Sequence, residues 1–303
     1  MKMAAIDIGT NSVLYSLFEI DRRKRLEEVF FKRESPRLGG NLSGRTKPCI
    51  SEESYEAVRR ILRRNIKHAR KNNAREIIIA ATNPLRLAVN GKNIAARLSK
   101  DLGVKVEILS SDREARLSFM GAVGKLRTDQ TMALIDLGGG STEIAVYRGA
   151  KRLAFVSLPE GAVSLTEKFK STGSISPDDL PGFERILASY KKSVKPILPY
   201  CKSRFILVGG TTSALAYLKD NDFHRLDKKT DLTVSEIQIF ISLLSRLNLK
   251  GRRQLLEIDK KRAEIILAGA FWLSYLFKIL GLKQAVATGR GLRHGLICER
   301  LGG

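Results

Sequence analysis

"MALIDLGGGSTEIAVY", residues 132–147, decides the fold. An apolar run ends in Asp136, a turn of three glycines and Ser141 follows, and Thr142 and Glu143 open a second apolar run. Short apolar runs bounded by glycine read as strands, so the stretch is a strand–turn–strand unit. The same pattern occurs about 130 residues earlier in "MAAIDIGTNSVLYSLF", residues 3–18, with Asp7, Gly9, Asn11 and Ser12 in the corresponding places. A unit that starts twice implies two related domains, here residues 1–124 and 125–303.

Outward from these hairpins, apolar runs alternate with helical patterns, the mark of an α/β chain. "EEVFFKRES" extends the first meander. "SEESYEAVRRILRRNIKHARKN" reads as an amphipathic helix capped by Ser51, with Tyr55, Val58, Leu62, Ile66 and Ala69 on one face and a basic opposite face from Arg59 to Lys71. "EIIIAAT" and "VKVEILS" read as strands on either side of a helix closed by Gly103. "DREARLSFMGAVGKL" is a helix with Asp112 as its expected cap. The second half adds a strand "LAFVSLP", two helices, the strand "RFILVGG" running into the turn "GGTTS", and a mainly helical remainder.

Glycine lets successive backbone N–H groups point into one space, and such a nest binds anions, phosphate above all. Serine and threonine add hydroxyl donors. A carboxylate beside phosphate is repelled unless a cation intervenes, so Asp136 and Glu143 flanking such a turn imply Mg²⁺. "VGGTTSAL", residues 208–215, is a third glycine–hydroxyl turn after a strand.

Composition narrows the function. Apolar residues make up 43% and charged residues 28% of the 303, as in a globular soluble chain. Cys49, Cys201 and Cys298 are far apart, as are His68, His224 and His294. That spacing argues against a disulfide framework and against a zinc or histidine metal site, and fits a reducing cytoplasm. "MKMAAIDIGT" carries no signal-peptide pattern. Ile265 to Leu282 is apolar, but Lys278, Ser274 and two glycines make it a buried helix ending near Gly281 rather than a membrane span. The net charge of +23 implies attraction to polyanions that weakens with salt. The aromatics lie mostly in apolar runs, so stacking platforms for nucleic acid are not evident and nucleic acid is a poor partner.

Nine blocks follow one another along nearly the whole chain: "AAIDIGTNS", "RLGGNLSGR", "AATNPLRLAVN", "SDREARLSFMGAV", "LIDLGGGSTEIAVY", "VSLPEGAVSLTEKF", "FILVGGTTSALA", "AEIILAGA" and "GRGLRHGLI". In this order they resemble the exopolyphosphatase / guanosine pentaphosphate phosphohydrolase (Ppx/GppA) family, in its short two-domain branch, within the actin-like ATPase and sugar kinase superfamily. The resemblance implies two related actin-like (ribonuclease H-like) domains flanking a phosphate-binding cleft, a homodimer and a cytoplasmic enzyme. It implies Mg²⁺-dependent release of orthophosphate from the end of inorganic polyphosphate, short chains preferred, with Mn²⁺ as the alternative metal. The alternatives are a pppGpp 5′-phosphohydrolase acting on guanosine penta- or tetraphosphate at the same site, and a polyphosphate-binding protein with weak hydrolysis. A kinase of the superfamily would need an acceptor site, for which the sequence offers no candidate.

Matched onto this sequence, Glu114 takes the place of the family's catalytic base and Arg86 that of a phosphate-gripping arginine. Asp136, Glu143 and, through water, Asp7 are the expected metal ligands. Gly9, Asn11, Ser12, Gly138, Gly139, Gly140, Ser141 and Thr142, with Gly209, Gly210 and Thr211 of the third turn, are the expected phosphate contacts. Three positions depart from the usual pattern: Ser111, Arg113 and His294. Arg113 close to Glu114 would lower that carboxyl's pKa and weaken it as a base.

Overall fold

The computed structural model describes residues 1–39, 42, 47–124, 130–169, 180–221 and 229–302. His224, part of "RLGGNLSGR" and the boundary at Lys125 lie outside the described residues.

Two mixed sheets repeat one topology. The first has the order β3-β2-β1-β4-β5, built from β1 (Lys2–Ile8), β2 (Val13–Ile20), β3 (Leu26–Glu34), β4 (Ala74–Ala81) and β5 (Val106–Ile108). The second has the order β10-β11-β9-β6-β7-β8, from β6 (Thr131–Leu137), β7 (Thr142–Arg148), β8 (Lys151–Leu158), β9 (Arg204–Val208), β10 (Thr230–Thr233) and β11 (Gln284–Ala287). In each, an antiparallel meander supplies three strands, and parallel strands extend the sheet from the meander's first. The second sheet adds β10 at its edge, antiparallel to β11. This is the paired actin-like α/β architecture.

In the first sheet, strand alternation sends Ala4, Ile6 and Ile8 of β1 to one face and Met3 and Ala5 to the other. The first face is covered by α1 (Glu52–Lys71) and α3 (Gly91–Leu102). Ser51 caps α1, accepting from the Ser54 amide at 3.2 Å, and all five residues of the expected apolar stripe are buried. Gly103 closes α3 in a left-handed conformation. The second face is covered by α4 (Ser111–Val123) and α11 (Leu292–Arg300). The α4 cap is Ser110, accepting from Arg113 N at 3.2 Å, rather than Asp112, which lies inside the first turn.

The second sheet packs its main core against α5 (Ala162–Lys168), α8 (Val234–Arg246) and α10 (Ile266–Leu280), with contributions from α6 (Leu180–Ser189), α7 (Gly210–Asp220) and the 3₁₀ segment Lys195–Tyr200. The buried α10 ends at left-handed Gly281, and among the described residues no helix is long and apolar enough to cross a membrane.

The chain divides into two compact units, Met1–Lys125 with Gly291–Gly303, and Leu126–Arg290. The tail Gly291–Gly303 therefore packs in the first unit, whereas the sequence reading placed it in the second domain. The reason is a close helix crossing. A Cβ on Gly295 of α11 would lie 1.9 Å from the Leu117 carbonyl oxygen of α4, and one on Gly121 of α4 would lie 2.0 Å from the Gly291 carbonyl oxygen. Only bare backbone fits there. Arg113 and Arg116 of α4 then fasten Glu299 of α11. Buried Arg293 reaches Glu28 of β3 at 2.5 Å and lies over the Phe31 ring.

Candidate active site

In the first hairpin the pair Ile8–Val13 closes a four-residue turn, and the Gly9 amide donates to the Ser12 carbonyl at 2.9 Å. In the second, Leu137–Thr142 closes the turn and Gly138 N donates to the Ser141 carbonyl at 3.0 Å. Each turn is braced by the segment that follows its meander. Arg37 N and Gly39 N donate to the Asn11 and Thr10 carbonyls at 3.1 and 3.0 Å. Ala162 N donates to the Gly138 carbonyl at 3.1 Å, and Val163 N and Ser164 N to that of Gly139 at 2.7 and 3.1 Å. A Cβ on Gly39 would sit 2.5 Å from the Thr10 methyl, and one on Gly161 2.6 Å from the Gly138 oxygen and the Gly139 carbonyl carbon. These braces were missed as functional parts; their signal is the glycine after each third strand, in "RLGG" and "PEGA".

The side chains differ. In the first hairpin Asp7 is paired with Leu14. By alternation it shares the sheet face of Met3 and Ala5, the face covered by α4. Asn11 Nδ2 donates to Ser12 Oγ at 3.1 Å, and the Ser12 and Ser35 hydroxyls share a bond of 3.2 Å. In the second hairpin Asp136 is paired directly with Glu143, so two carboxylates lie side by side on one face. Glu143 is 1% exposed and accepts from Ser157 Oγ at 3.1 Å.

Thr142 does not offer its hydroxyl to a ligand as expected. It is fully buried, donates to the Glu160 carbonyl at 2.7 Å and accepts from Trp272 Nε1 at 2.8 Å. The Glu160 carboxylate, also fully buried, is held by Lys168, Tyr190 (2.7 Å) and Ser164 (3.1 Å). Burial, then the neighbouring Glu160, pushes the Tyr190 phenol up. Ser141 makes no hydrogen bond through its hydroxyl among the described residues.

Glu114 sits in the first turn of α4 and is buried. Arg86, on the one-turn helix α2 (Asn83–Leu87), donates from Nη1 to Glu114 Oε2 at 2.8 Å and to the Leu109 carbonyl at 2.9 Å. The guanidinium that meets Glu114 is therefore that of Arg86. Arg113 instead holds Glu107 and Glu299, at 2.6 and 2.8 Å. Burial works against ionisation of Glu299, but hydrogen bonds from Arg113 and Arg116 leave its carboxyl below the ordinary range. His294 is buried in the first unit, edge-on to Phe18 at 4.9 Å.

The third turn begins α7. Gly209 adopts φ +107°, a conformation that suits glycine. The Thr212 and Ser213 hydroxyls donate back to the Gly209 carbonyl at 2.9 Å, and buried Thr211 faces Gly269 of α10, so these hydroxyls shape the helix start rather than line an opening. Arg262 is 5% exposed, bonded through Nε to Asp259 at 2.8 Å, with its terminal nitrogens over Gly210. It brings positive charge to that turn. Among the described residues no three His, Cys, Asp or Glu side chains form a ready-made metal cluster. The donor set at Asp136 and Glu143 is a pair of hard carboxylates, which suits Mg²⁺ or Mn²⁺ completed by ligand oxygens.

Two units of one topology, each with a glycine hairpin and an Asp at the strand end before it, define an actin-like α/β protein. Its family follows from a sequence match: the model of the Ppx/GppA phosphatase family covers residues 11–302, and the chain belongs to that family. It is thus a phosphatase. Solved structures agree. The Aquifex aeolicus member of the Ppx/GppA family is 25% identical, with TM-score 0.80 over 100% of this chain and 98% of that one. An exopolyphosphatase from Cytophaga hutchinsonii is 20% identical, with TM-score 0.84 over 100% and 98%. An exopolyphosphatase-like protein is 21% identical, with TM-score 0.87 over 100% and 99%. The last two are similar in fold.

Proposed function

We propose that this phosphatase is an exopolyphosphatase, hydrolysing the terminal phosphoanhydride of inorganic polyphosphate with the help of Mg²⁺. One observation carries the reading: Asp136 and the buried Glu143 stand directly opposite each other beside a glycine turn. Like charges so placed destabilise a strand pair. Beside a nest of amides fit for phosphate, the two carboxylates would hold a cation, which would offset both their own repulsion and that of a bound phosphate. When bound, Mg²⁺, or Mn²⁺ in its place, neutralises charge on the reacting phosphates.

The protein's own groups do the rest. The Gly138 amide closes the turn onto the Ser141 carbonyl, so the amides of Gly139 and Gly140 and the Ser141 hydroxyl hold phosphate oxygens in the second unit. Asn11 and Ser12 offer the same in the first, where Gly9 closes the turn through its own amide, and Asp7 acts through water. Glu114 orients the attacking water and accepts its proton. Arg86 positions Glu114 and offers a guanidinium to phosphate. The amides of Gly210 and Thr211, with Arg262, attract the following phosphates. Inorganic polyphosphate is favoured as substrate by the net charge of +23 and by the names of the structural relatives.

The test is phosphate release with Mg²⁺ from tripolyphosphate, long polyphosphate, pppGpp and ATP, for wild type and Glu114→Ala. The reading predicts polyphosphate as best substrate and a loss of about 10² to 10⁴ in the variant. Preference for pppGpp would move the substrate to the guanosine nucleotide. Binding of polyphosphate with no phosphate release from any substrate would make this a binding protein.

A further inference from the structure

From Ala57 to Ala74 the chain carries no carboxylate. Most of this stretch is α1. Arg60, Arg63, Arg64, Lys67, Arg70 and Lys71 are all exposed. At 100° per residue they fall within an arc of about 120°, centred opposite the buried stripe, and at 1.5 Å per residue they span about 17 Å. Arg64 pairs with Glu34 at 2.6 Å; the other five have no carboxylate partner among the described residues. Not every cation lies on the surface: Arg252 and Arg262 are buried in the second unit, bonded to the Leu244 carbonyl and to Asp259.

The stripe has a fixed relation to the first glycine turn. Asn72 ends α1, and Ala74 then begins β4 beside Lys2, at the end of β1 remote from Gly9. Along β1 that end lies about 23 Å from the turn. The helix thus starts at the turn end of the sheet and carries its positive face away from it.

We infer that the exposed face of α1 is a docking track for the body of a polyphosphate chain, outside the site where its end is cleaved. This rests on the polyphosphate reading above. The face offers charge and nothing else. The helix itself exposes no aromatic ring to stack on a base, the neighbouring Phe30 being packed on His68, Asn65 is buried, and the Asn72 amide is bonded to His68. Mainly arginine, it suits phosphate oxygens. A second copy of so cationic a face would be repelled. An unbranched anion without bases matches it best. Chains too short to reach from the turn to the stripe are indifferent to it.

The test compares wild type, a stripe variant Arg60→Gln/Arg63→Gln/Lys67→Gln/Arg70→Gln, and a control of equal charge loss in the second unit, Lys191→Gln/Lys192→Gln/Lys195→Gln/Lys202→Gln. All eight residues are exposed. Binding of end-labelled long polyphosphate is followed by anisotropy against salt, with an RNA oligonucleotide in parallel. Hydrolysis of tripolyphosphate and long polyphosphate is followed separately. The stripe variant should bind long polyphosphate at least tenfold more weakly, with a log–log salt slope shallower by about 3, at about 0.7 per lost contact. Its KM for long polyphosphate should rise by a similar factor, and that for tripolyphosphate should stay within twofold. The control should change far less. Equal losses in the control, binding and slope unchanged in the stripe variant, or tighter binding of RNA than of polyphosphate by wild type would each overturn the track. Binding is read without turnover, so it decides the track even if wild type hydrolyses nothing, an outcome that removes only the exopolyphosphatase reading.

Discussion

Across the first strand pair Asp7 meets Leu14; across the second, Asp136 meets Glu143. The two turns are otherwise built alike, with the same closing register, the same glycine-to-serine backbone bond and a glycine brace behind each. In the first turn the polar side chains are bonded to one another through Asn11, Ser12 and Ser35. In the second, Thr142 turns inward to Trp272 and Glu160, and the Ser141 hydroxyl makes no hydrogen bond among the described residues. One backbone solution can thus carry two jobs, and the residue opposite the Asp separates them. In the function proposed above, the second hairpin gathers negative charge for a cation. The same proposal takes the water-orienting carboxylate, Glu114, from α4 of the first unit.

The largest expected effect tests that division. Glu114→Ala should lower kcat by about 10² to 10⁴ while leaving the metal requirement near wild type, measured by phosphate release across a Mg²⁺ titration. A variant that instead needed much more metal would place Glu114 in the metal site. Next, Glu143→Gln should raise the Mg²⁺ needed for half-maximal rate by at least about tenfold.

The braces sharpen the comparison on stability. Gly161→Ala pushes a methyl into backbone and should cost about 1–3 kcal/mol by urea denaturation, whereas Gly39→Ala meets the Thr10 methyl, which can move, and should fall at or below the low end of that range. Equal costs would mean that the two braces are equally rigid.

The smallest effect concerns the closure of the first unit by the chain's last helix. The Glu299 carboxyl is held below its ordinary value of 4.5, so its stabilisation is fully present above that pH and is lost as pH falls through the folded value. Glu299→Gln should therefore lower the denaturation midpoint at pH 7 and approach wild type near pH 3. A gap that persisted in acid would assign the effect to packing.

The hairpins, the Ser51 cap, the apolar stripe of α1 and the Gly103 and Gly281 terminations were legible in the sequence, because each depends on local spacing and turn chemistry. The fate of "GRGLRHGLI" was not. Its helix has an apolar face, but nothing local says which core it joins, and its match to α4 depends on two glycines more than 170 residues apart. In the sequence Arg113 stands beside Glu114 and Arg86 is assigned to phosphate; only the folded chain shows Arg86 bonded to Glu114 and Arg113 turned to Glu107 and Glu299. The hydroxyls of Thr142 and Thr211 read as ligand donors because composition cannot tell which face of a turn is buried.

Parallel Mg²⁺ titrations of phosphate release by Glu143→Gln and Asp7→Asn test the central claim most directly. The account predicts that Glu143→Gln shifts the metal requirement upward by at least about tenfold and Asp7→Asn by clearly less. An equal or larger shift for Asp7→Asn would contradict the assignment of the cation to the second hairpin.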